Sequence, residues 1–461
     1  MVSPTHHLPR LVVAAPATGQ GKTTVATGLM AALTRAGHTV SGHKVGPDYI
    51  DPGYHALACG RPGRNLDPHL VGEERIVPLL LHGAAGADLA VIEGVMGLFD
   101  GKVGGEGFAS SAHVATLTRS PVVLVVDISR SSRSIGAVVH GMATWDPDVR
   151  VAGVVLNQAG SPRHAREVAD SIDLPVLGTI RRDPDLAVPS RHLGLVPAAE
   201  RDEAGHELDA LADRIAELVD LDAVLALART APELDGEPWD PMREVHPGGF
   251  ETGASAPSST PGTSTTGFSS TTGGPVVAMA GGRAFTFRYA ETEELLRAAG
   301  CAVVGFDPMV DPRLPDGTAG IYLGGGFPEV HARDLTDNVV LRRELAAAIA
   351  DGVPTVAECA GLLYLCEALD SSPMVGAIAA TAAMTERLTL RYPTMTATTD
   401  SLLTRAGETI TGHEFHRTQV TPAGDDLGHV GPSLYASYLH THWAGHPQLA
   451  RRFADAVHAR A

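Results

Sequence analysis

Between the apolar run Leu11 to Ala15 and an Ala/Leu-rich segment ending at Gly37 stands Pro16-Ala17-Thr18-Gly19-Gln20-Gly21-Lys22-Thr23-Thr24. Strand, Gly-rich turn and helix in that order make a phosphate cradle. Glycines let backbone N–H groups converge on an anion, and the helix N-terminus adds a favourable field. Lys22 then reaches the terminal phosphates and Thr23 can ligate Mg²⁺. Gly19, Gln20, Gly21, Lys22, Thr23 and Thr24 are therefore the expected ATP-binding residues.

Two later segments carry carboxylates where apolar runs end, Lys44-Val45-Gly46-Pro47-Asp48-Tyr49-Ile50-Asp51-Pro52 and Val91-Ile92-Glu93-Gly94-Val95-Met96-Gly97-Leu98-Phe99-Asp100-Gly101-Lys102. Glu93 directly follows a strand-like run, the place where an acid meets Mg²⁺ held by Thr23 and phosphates, and Asp48 is the second candidate metal ligand. Lys44, Asp48, Tyr49, Asp51, Asp100 and Lys102 form the expected substrate and activation set. Each Asp flanks Gly or Pro, so side-chain capping of a turn is the plain alternative for any one of them. Among 35 basic residues only Lys22, Lys44 and Lys102 are lysine, and all three lie in these Gly-rich segments. A compact ammonium on a flexible stem suits phosphate. Asn157 follows the run Val151 to Leu156, where it could read the adenine edge or serve as a turn residue.

A second chemistry is written in Val356-Ala357-Glu358-Cys359-Ala360-Gly361-Leu362. It reads as a strand breaking into a helix, with Cys359 exposed at the corner. The helix N-terminus should favour thiolate there, and the Ala360 N–H can serve an oxyanion. The loop Gly324-Gly325-Gly326-Phe327-Pro328-Glu329 supplies further N–H groups, Gly325 and Gly326 being the candidates. Ala436-Ser437-Tyr438-Leu439-His440-Thr441-His442 offers the base. Alternation places His440 and His442 on one side of a strand, so pattern alone selects neither. Cys366 reads as core, further along the same helix.

The elements that must hold these residues are β-branched runs alternating with Ala/Leu segments. Leu11 to Ala15, Ala90 to Ile92, Val122 to Asp127 and Val151 to Leu156 read as buried strands of one parallel sheet, and Val276 to Ala280, Ala302 to Phe306, Gly320 to Leu323 and Thr355 to Glu358 as those of another. Between them residues 230–274 turn to Pro, Gly, Ser and Thr, and Ser255 to Gly274 has almost no large apolar side chain, which reads as a flexible linker. The expected domains are 8–229, 230–274 as linker, and 275–461.

A net charge of −18 speaks against nucleic acid as partner, since phosphate-backbone binding needs a basic face. Four widely spaced cysteines without CxxC pairing suggest neither disulfides nor a zinc site. With no apolar run near the roughly 18 to 20 residues of a membrane span, a soluble cytoplasmic protein is expected.

The phosphate loop, with Pro16 at its usual opening glycine, resembles those of dethiobiotin-synthetase-like and septum-site ATPases. Lys44 to Pro52, Glu93 to Gly101, Ala284-Phe285-Thr286-Phe287-Arg288-Tyr289 and Gly324 to Glu329 together are similar to the cobyrinic acid a,c-diamide synthases, including the hydrogenobyrinic acid enzymes, over nearly the whole chain outside the linker. The resemblance implies an α/β fold: a dethiobiotin-synthetase-like P-loop domain with a parallel sheet, plus a class I glutamine amidotransferase domain. It implies ATP, Mg²⁺, L-glutamine and a corrin polycarboxylate as small-molecule partners, and is compatible with a homodimer. Cys359 then matches the nucleophile and His440, in the family's Tyr-x-His position, its base. Departures are His442 where many relatives of the class carry Glu, which leaves the orienting partner unassigned, Ala360 in place of glycine, and Gly281-Gly282-Arg283 where an Asp is common.

The implied reaction activates a corrin carboxylate as acyl phosphate, releases ammonia from glutamine at Cys359, and joins them at two acetate side chains. Lys44, Lys102, Arg130, Arg133 and Arg64 are the basic groups expected to offset the net charge. The competing readings are an amidotransferase on another tetrapyrrole acid, such as nickel sirohydrochlorin, and a partition-type ATPase switch without catalysis.

Overall fold

The computed structural model describes residues 4–182, 190–191, 194–200, 204–247 and 273–461. It divides into two compact units, one of residues 1–68 and 72–239 and the other of residues 69–71 and 240–461.

In the first unit, seven parallel strands lie in the order Arg64–Leu66, Val40–Val45, Leu89–Glu93, Arg10–Ala14, Val122–Asp127, Val151–Ala159 and Val176–Arg181. Val122 to Val126 are all buried, as a parallel strand covered on both faces requires. The four sequence-predicted strands are all present: Val122–Asp127 as expected, the first shifted back by one residue to Arg10–Ala14, and the other two extended by two and three residues to Leu89–Glu93 and Val151–Ala159. Helix Lys22–Arg35 lies against the sheet through Val25, Ala26, Leu29, Met30 and Leu33, each fully buried. Cutting Leu29 to Ala would cost about 2–5 kcal/mol, and would loosen the helix that starts at the phosphate loop.

The linker expected over 230–274 is shorter than its composition suggests. Arg10, fully buried, donates from Nη2 to Pro232 O at 2.7 Å, from Nε to Thr118 O at 2.7 Å and from Nη1 to Leu8 O at 2.8 Å. A guanidinium has five donors to satisfy, so its burial draws residue 232 onto the sheet edge. Strand Leu234–Asp235 then pairs with Thr5–His6, buried Trp239 donates its backbone N–H to Pro78 O at 2.9 Å, and residues Pro241–Val245 form a helix. The Ser/Thr-rich stretch 255–272 lies outside the described residues.

In the second unit a six-stranded sheet runs Ala302–Phe306, Val276–Ala280, Thr318–Leu323, Thr355–Glu358, Leu434–Ser437 and His429–Val430. Only the last pair is antiparallel. A second sheet contains Ser372–Pro373, Cys366–Leu369, Ile378–Arg391 and Glu414–Thr421. Cys366 is core as expected, but it opens a strand; the helix before it ends at Leu365.

Candidate active site

Gly21 sits at φ 95° immediately before helix Lys22–Arg35. A Cβ there would lie 2.1 Å from Asn157 Nδ2, so only glycine lets the loop pass this close. Asn157 donates to Gln20 O at 2.8 Å, and Gln20 Oε1 accepts the Asp127 N–H at 2.8 Å. Two strand ends thus pin the loop. Asn157 also braces the loop, its Oδ1 accepting the Gln158 N–H at 2.9 Å, which leaves one amide hydrogen and one lone pair for a ligand.

Lys22 Nζ donates to Met96 O at 2.5 Å and Ala17 O at 3.4 Å. Burial, then the neighbouring Lys44, pushes it down to about 8. Thr23 Oγ1 donates to Glu93 Oε1 at 2.5 Å, and the same oxygen accepts from Lys44 Nζ at 3.0 Å. Lys44 also meets Asp51 Oδ2 at 2.7 Å, and His55 Nε2 lies 2.7 Å from Glu93 Oε2. Burial alone would raise Glu93; Lys44 and the bonds from His55 and Thr23 outweigh it and hold the carboxylate well below its usual range. Burial likewise disfavours the Lys44 ammonium, yet Asp51, Glu93 and Asp48 hold it above the ordinary lysine range. A removed partner would leave a buried charge uncompensated, at about 3–5 kcal/mol.

The capping alternative holds for part of the expected set. Asp48 Oδ1 accepts from Ile50 N–H at 2.7 Å and Asp51 N–H at 3.1 Å, closing the first turn of helix Ile50–Cys59, with Tyr49 at its N-cap position. Asp100 Oδ2 accepts the Gly97 N–H at 2.9 Å. Lys102 sits at the neck of a Gly-rich loop, its N–H donating to Phe108 O at 2.8 Å. Arg130 and Arg133 are exposed ahead of helix Ser134–Thr144. Arg64 is not part of an exposed basic patch: it is only 7% exposed, with its side chain against Gly83. His55 went unread in the sequence, although it stands one helical turn after Asp51, on the same face.

At the second site Cys359 takes φ 48°, ψ −95° between strand Thr355–Glu358 and helix Ala360–Leu365, the sharp corner the sequence implied. Strands Thr355–Glu358 and Leu434–Ser437 are parallel neighbours with Glu358 opposite Ser437, and Cys359 N–H donates to Ser437 O at 2.8 Å. Cys359 and His440 therefore leave the sheet from adjacent strands at the same edge. The surroundings of the thiol oppose the effect of the helix N-terminus. Burial, then Glu329, pushes the Cys359 thiol up to about 12, and the bond from the Ala360 N–H of a helix only six residues long does not offset this.

Of the expected oxyanion donors, Gly325 is engaged: its N–H donates to Phe287 O at 3.0 Å and its carbonyl accepts the Phe287 N–H at 3.0 Å. A Cβ on Gly325 would lie 2.5 Å from His440 Cε1, so its glycine makes room for the imidazole instead. Gly326 packs so closely that a Cβ would meet Ala284 O at 2.0 Å.

The structure separates the two histidines. His440 Nδ1 is 3.8 Å from Glu358 Oε2, both side chains 2% exposed. Glu358 is held in turn, Oε1 by Thr441 Oγ1 at 3.0 Å and Oε2 by Tyr322 O–H at 3.2 Å. His442 stacks on Tyr289 with centroids 4.1 Å apart and places Nε2 3.6 Å from Glu291 Oε2. The acid facing the base is thus the residue just before the nucleophile. It lay hidden in the sequence because it reads as the end of a strand.

Residues 276–448 match the CobB/CobQ-like glutamine amidotransferase domain, and residues 11–196 match the CobQ/CobB/MinD/ParA nucleotide binding domain. The chain is 58% identical to the hydrogenobyrinate a,c-diamide synthase of Thermobifida fusca, with 98% of this chain and 97% of that one aligned. It is 51% identical to the enzyme of that name from Streptomyces coelicolor, over 97% of each chain. To the cobyrinate a,c-diamide synthase of a Synechococcus strain it is 39% identical, over 97% of this chain and 98% of that one.

Proposed function

This chain belongs to the hydrogenobyrinate and cobyrinate a,c-diamide synthases, and from that premise we propose how its residues make the two amides. It is a carbon–nitrogen ligase that uses ATP and glutamine to amidate the a and c acetate carboxylates of a (hydrogeno)cobyrinic acid, by way of an acyl phosphate. Of the two corrins we favour the metal-free one. The two hydrogenobyrinate enzymes compared above are 58% and 51% identical to it, against 39% for the cobyrinate enzyme.

Lys22 and the N–H groups of the loop bind the triphosphate, which restores the full charge that burial takes from the resting ammonium. Thr23 Oγ1 and Glu93 Oε1, in contact at 2.5 Å, fit a hard cation. Among the described residues no cluster of three or more acid, His or Cys side chains is arranged as a metal site, which suits an ion completed by phosphates and water. Mg²⁺ bound there would offset phosphate charge. Lys44, locked by Asp51 and Glu93, keeps Glu93 ionised and aimed at Thr23. We place the reaction in the cytoplasm, where ATP and glutamine are both available.

At the amidotransferase site a neutral thiol needs a base at the moment of attack. His440 takes the Cys359 proton as sulfur bonds to the glutamine carbonyl carbon, and Glu358 stabilises the resulting imidazolium. Gly326 and Ala360 N–H groups receive the oxyanion. Collapse breaks the C–N bond, ammonia leaves with the proton returned by His440, and water later hydrolyses the thioester.

The observation carrying this reading is the elbow at Cys359 beside the Glu358–His440 pair. Incubation with ATP, Mg²⁺ and glutamine, offering hydrogenobyrinic and cobyrinic acids in parallel, should add two amides by mass to the metal-free corrin at the higher kcat/KM. Faster amidation of the cobalt corrin would reverse the substrate choice.

A further inference from the structure

Neither ATP nor glutamine needs an open apolar wall, yet the first unit carries one. Helix Ser134–Thr144 presents Ala137, Val138, Gly141 and Met142 along one side, continued by Trp145 at its end. This i, i+4 stripe is the kind a helix normally buries. Here Val138 is 40% exposed and Trp145 78% exposed. Together with Phe99 and Phe108 the stripe lines a groove of about 1120 Å³. Drug-sized ligands occupy about 300–1,000 Å³, so the space suits a larger molecule with a broad apolar face.

The wall opposite the helix ties the groove to the phosphate cradle. Phe99 and Phe108 belong to the loop after strand Leu89–Glu93, and its other residues touch the P-loop. Met96 O accepts from Lys22 Nζ at 2.5 Å, and Leu98 N–H donates to Ala15 O at 2.8 Å. Gly97 is close enough to Pro16 that a Cβ would lie 2.7 Å from its carbonyl oxygen. The loop is closed on itself by Lys102 N–H to Phe108 O and Phe108 N–H to Gly105 O, each 2.8 Å. One short segment therefore has Lys22 on one side and the groove on the other. Asp146 and Asp148, just past the end of the helix, make that end of the groove acidic, and Glu106 lies on the loop of the other wall.

We propose that this groove seats the macrocycle of the tetrapyrrole-derived polycarboxylate, one face on Val138, Met142 and Trp145, with the edge to be amidated turned from Asp146 and Asp148 toward Lys22. The assignment rests on the function proposed above. Of the three reactants only this one has a large apolar surface to bury, and its reacting carboxylate must meet the terminal phosphate.

The test is steady-state amidation by Trp145→Ala and Trp145→Phe in the full chain, with KM measured separately for corrin, ATP and glutamine, and molar mass by light scattering. Loss of an aromatic platform should raise the corrin KM roughly tenfold in Trp145→Ala, with the ATP and glutamine values within about twofold, and Trp145→Phe should restore most of it. Val138→Ser is the second variant, expected to move the same KM in the same direction. An unchanged corrin KM in all three overturns the proposal. So does a drop in molar mass on Trp145→Ala with corrin KM unchanged, which would make the stripe a contact between copies of the chain. If the unaltered chain adds no amide to any corrin, the functional reading fails first, and that outcome is distinct from either.

Discussion

At the head of the first sheet Lys44 lies 2.7 Å from Asp51 and 3.0 Å from Glu93, all three deeply buried, and its charge keeps Glu93 ionised while burial and then Asp48 raise Asp51. At the edge of the second, Cys359 is as deeply buried but neutral, and the acid beside its base stands off at 3.8 Å. Both sites are buried, so burial alone does not set protonation. The difference is the sign of the neighbouring charges: Lys44 has carboxylates to offset its desolvation, whereas Glu329 and Glu358 add to the burial that disfavours the thiol's anion. A phosphate site benefits from charges already in place, since its ligand arrives charged. A thiol site that forms its anion only during attack protects the sulfur from other electrophiles.

The sharpest way to break this contrast is Cys359→Ser. Glutamine-dependent amidation should fall by about 10⁴-fold or more, while amidation driven by an ammonium salt survives, because the cradle does not use the sulfur. Loss of both activities would mean the sites are not separable. Glu358→Gln comes next. If the acid holds the imidazole and its charge, glutaminase kcat should drop about 10²- to 10³-fold with little change in glutamine KM, and ammonium-driven amidation should be unaffected. Retained glutaminase activity would leave His440 to act alone.

Smaller effects sharpen the electrostatic side. Lys22 must carry its proton to bind triphosphate, and its resting value near 8 is below that of an ordinary lysine. The ATP KM should therefore be flat below pH 8 and climb by up to about tenfold per pH unit above it, whereas a flat profile to pH 10 would show the ammonium already fully charged. For Cys359 the sign is opposite, an acid raised to about 12. Its alkylation by iodoacetamide without glutamine should keep rising with pH up to at least 10, and a plateau near pH 8.5 would reveal an ordinary thiol. The smallest change is expected at Asp48. Asp48→Ala should cost about 1 kcal/mol by urea unfolding through loss of the helix cap, and Asp48→Asn, which still caps, should keep both stability and activity. Activity lost in Asp48→Asn would support the metal or substrate role that the sequence suggested.

Local pattern carried much of the molecule. Gly19 to Thr24 between a β-branched run and an Ala/Leu run can form little but a phosphate loop, and Cys359 before Ala360-Gly361 can form little but an elbow, because each depends on contiguous residues and on what glycine and a strand end permit. The parallel sheets followed from the same local alternation. Chain folding alone decided which distant groups would meet. His55 reached Glu93, and Glu358 rather than a residue after the histidine came to face His440, because parallel strands bring together residues far apart in sequence. Residues 230–239 looked like linker until the donors of a buried Arg10 required acceptors there. Protonation belonged to tertiary structure as well: Lys44 and Cys359 are each at a sequence position that suits their chemistry, but the charge each carries depends on how many counter-charges the fold packs around it.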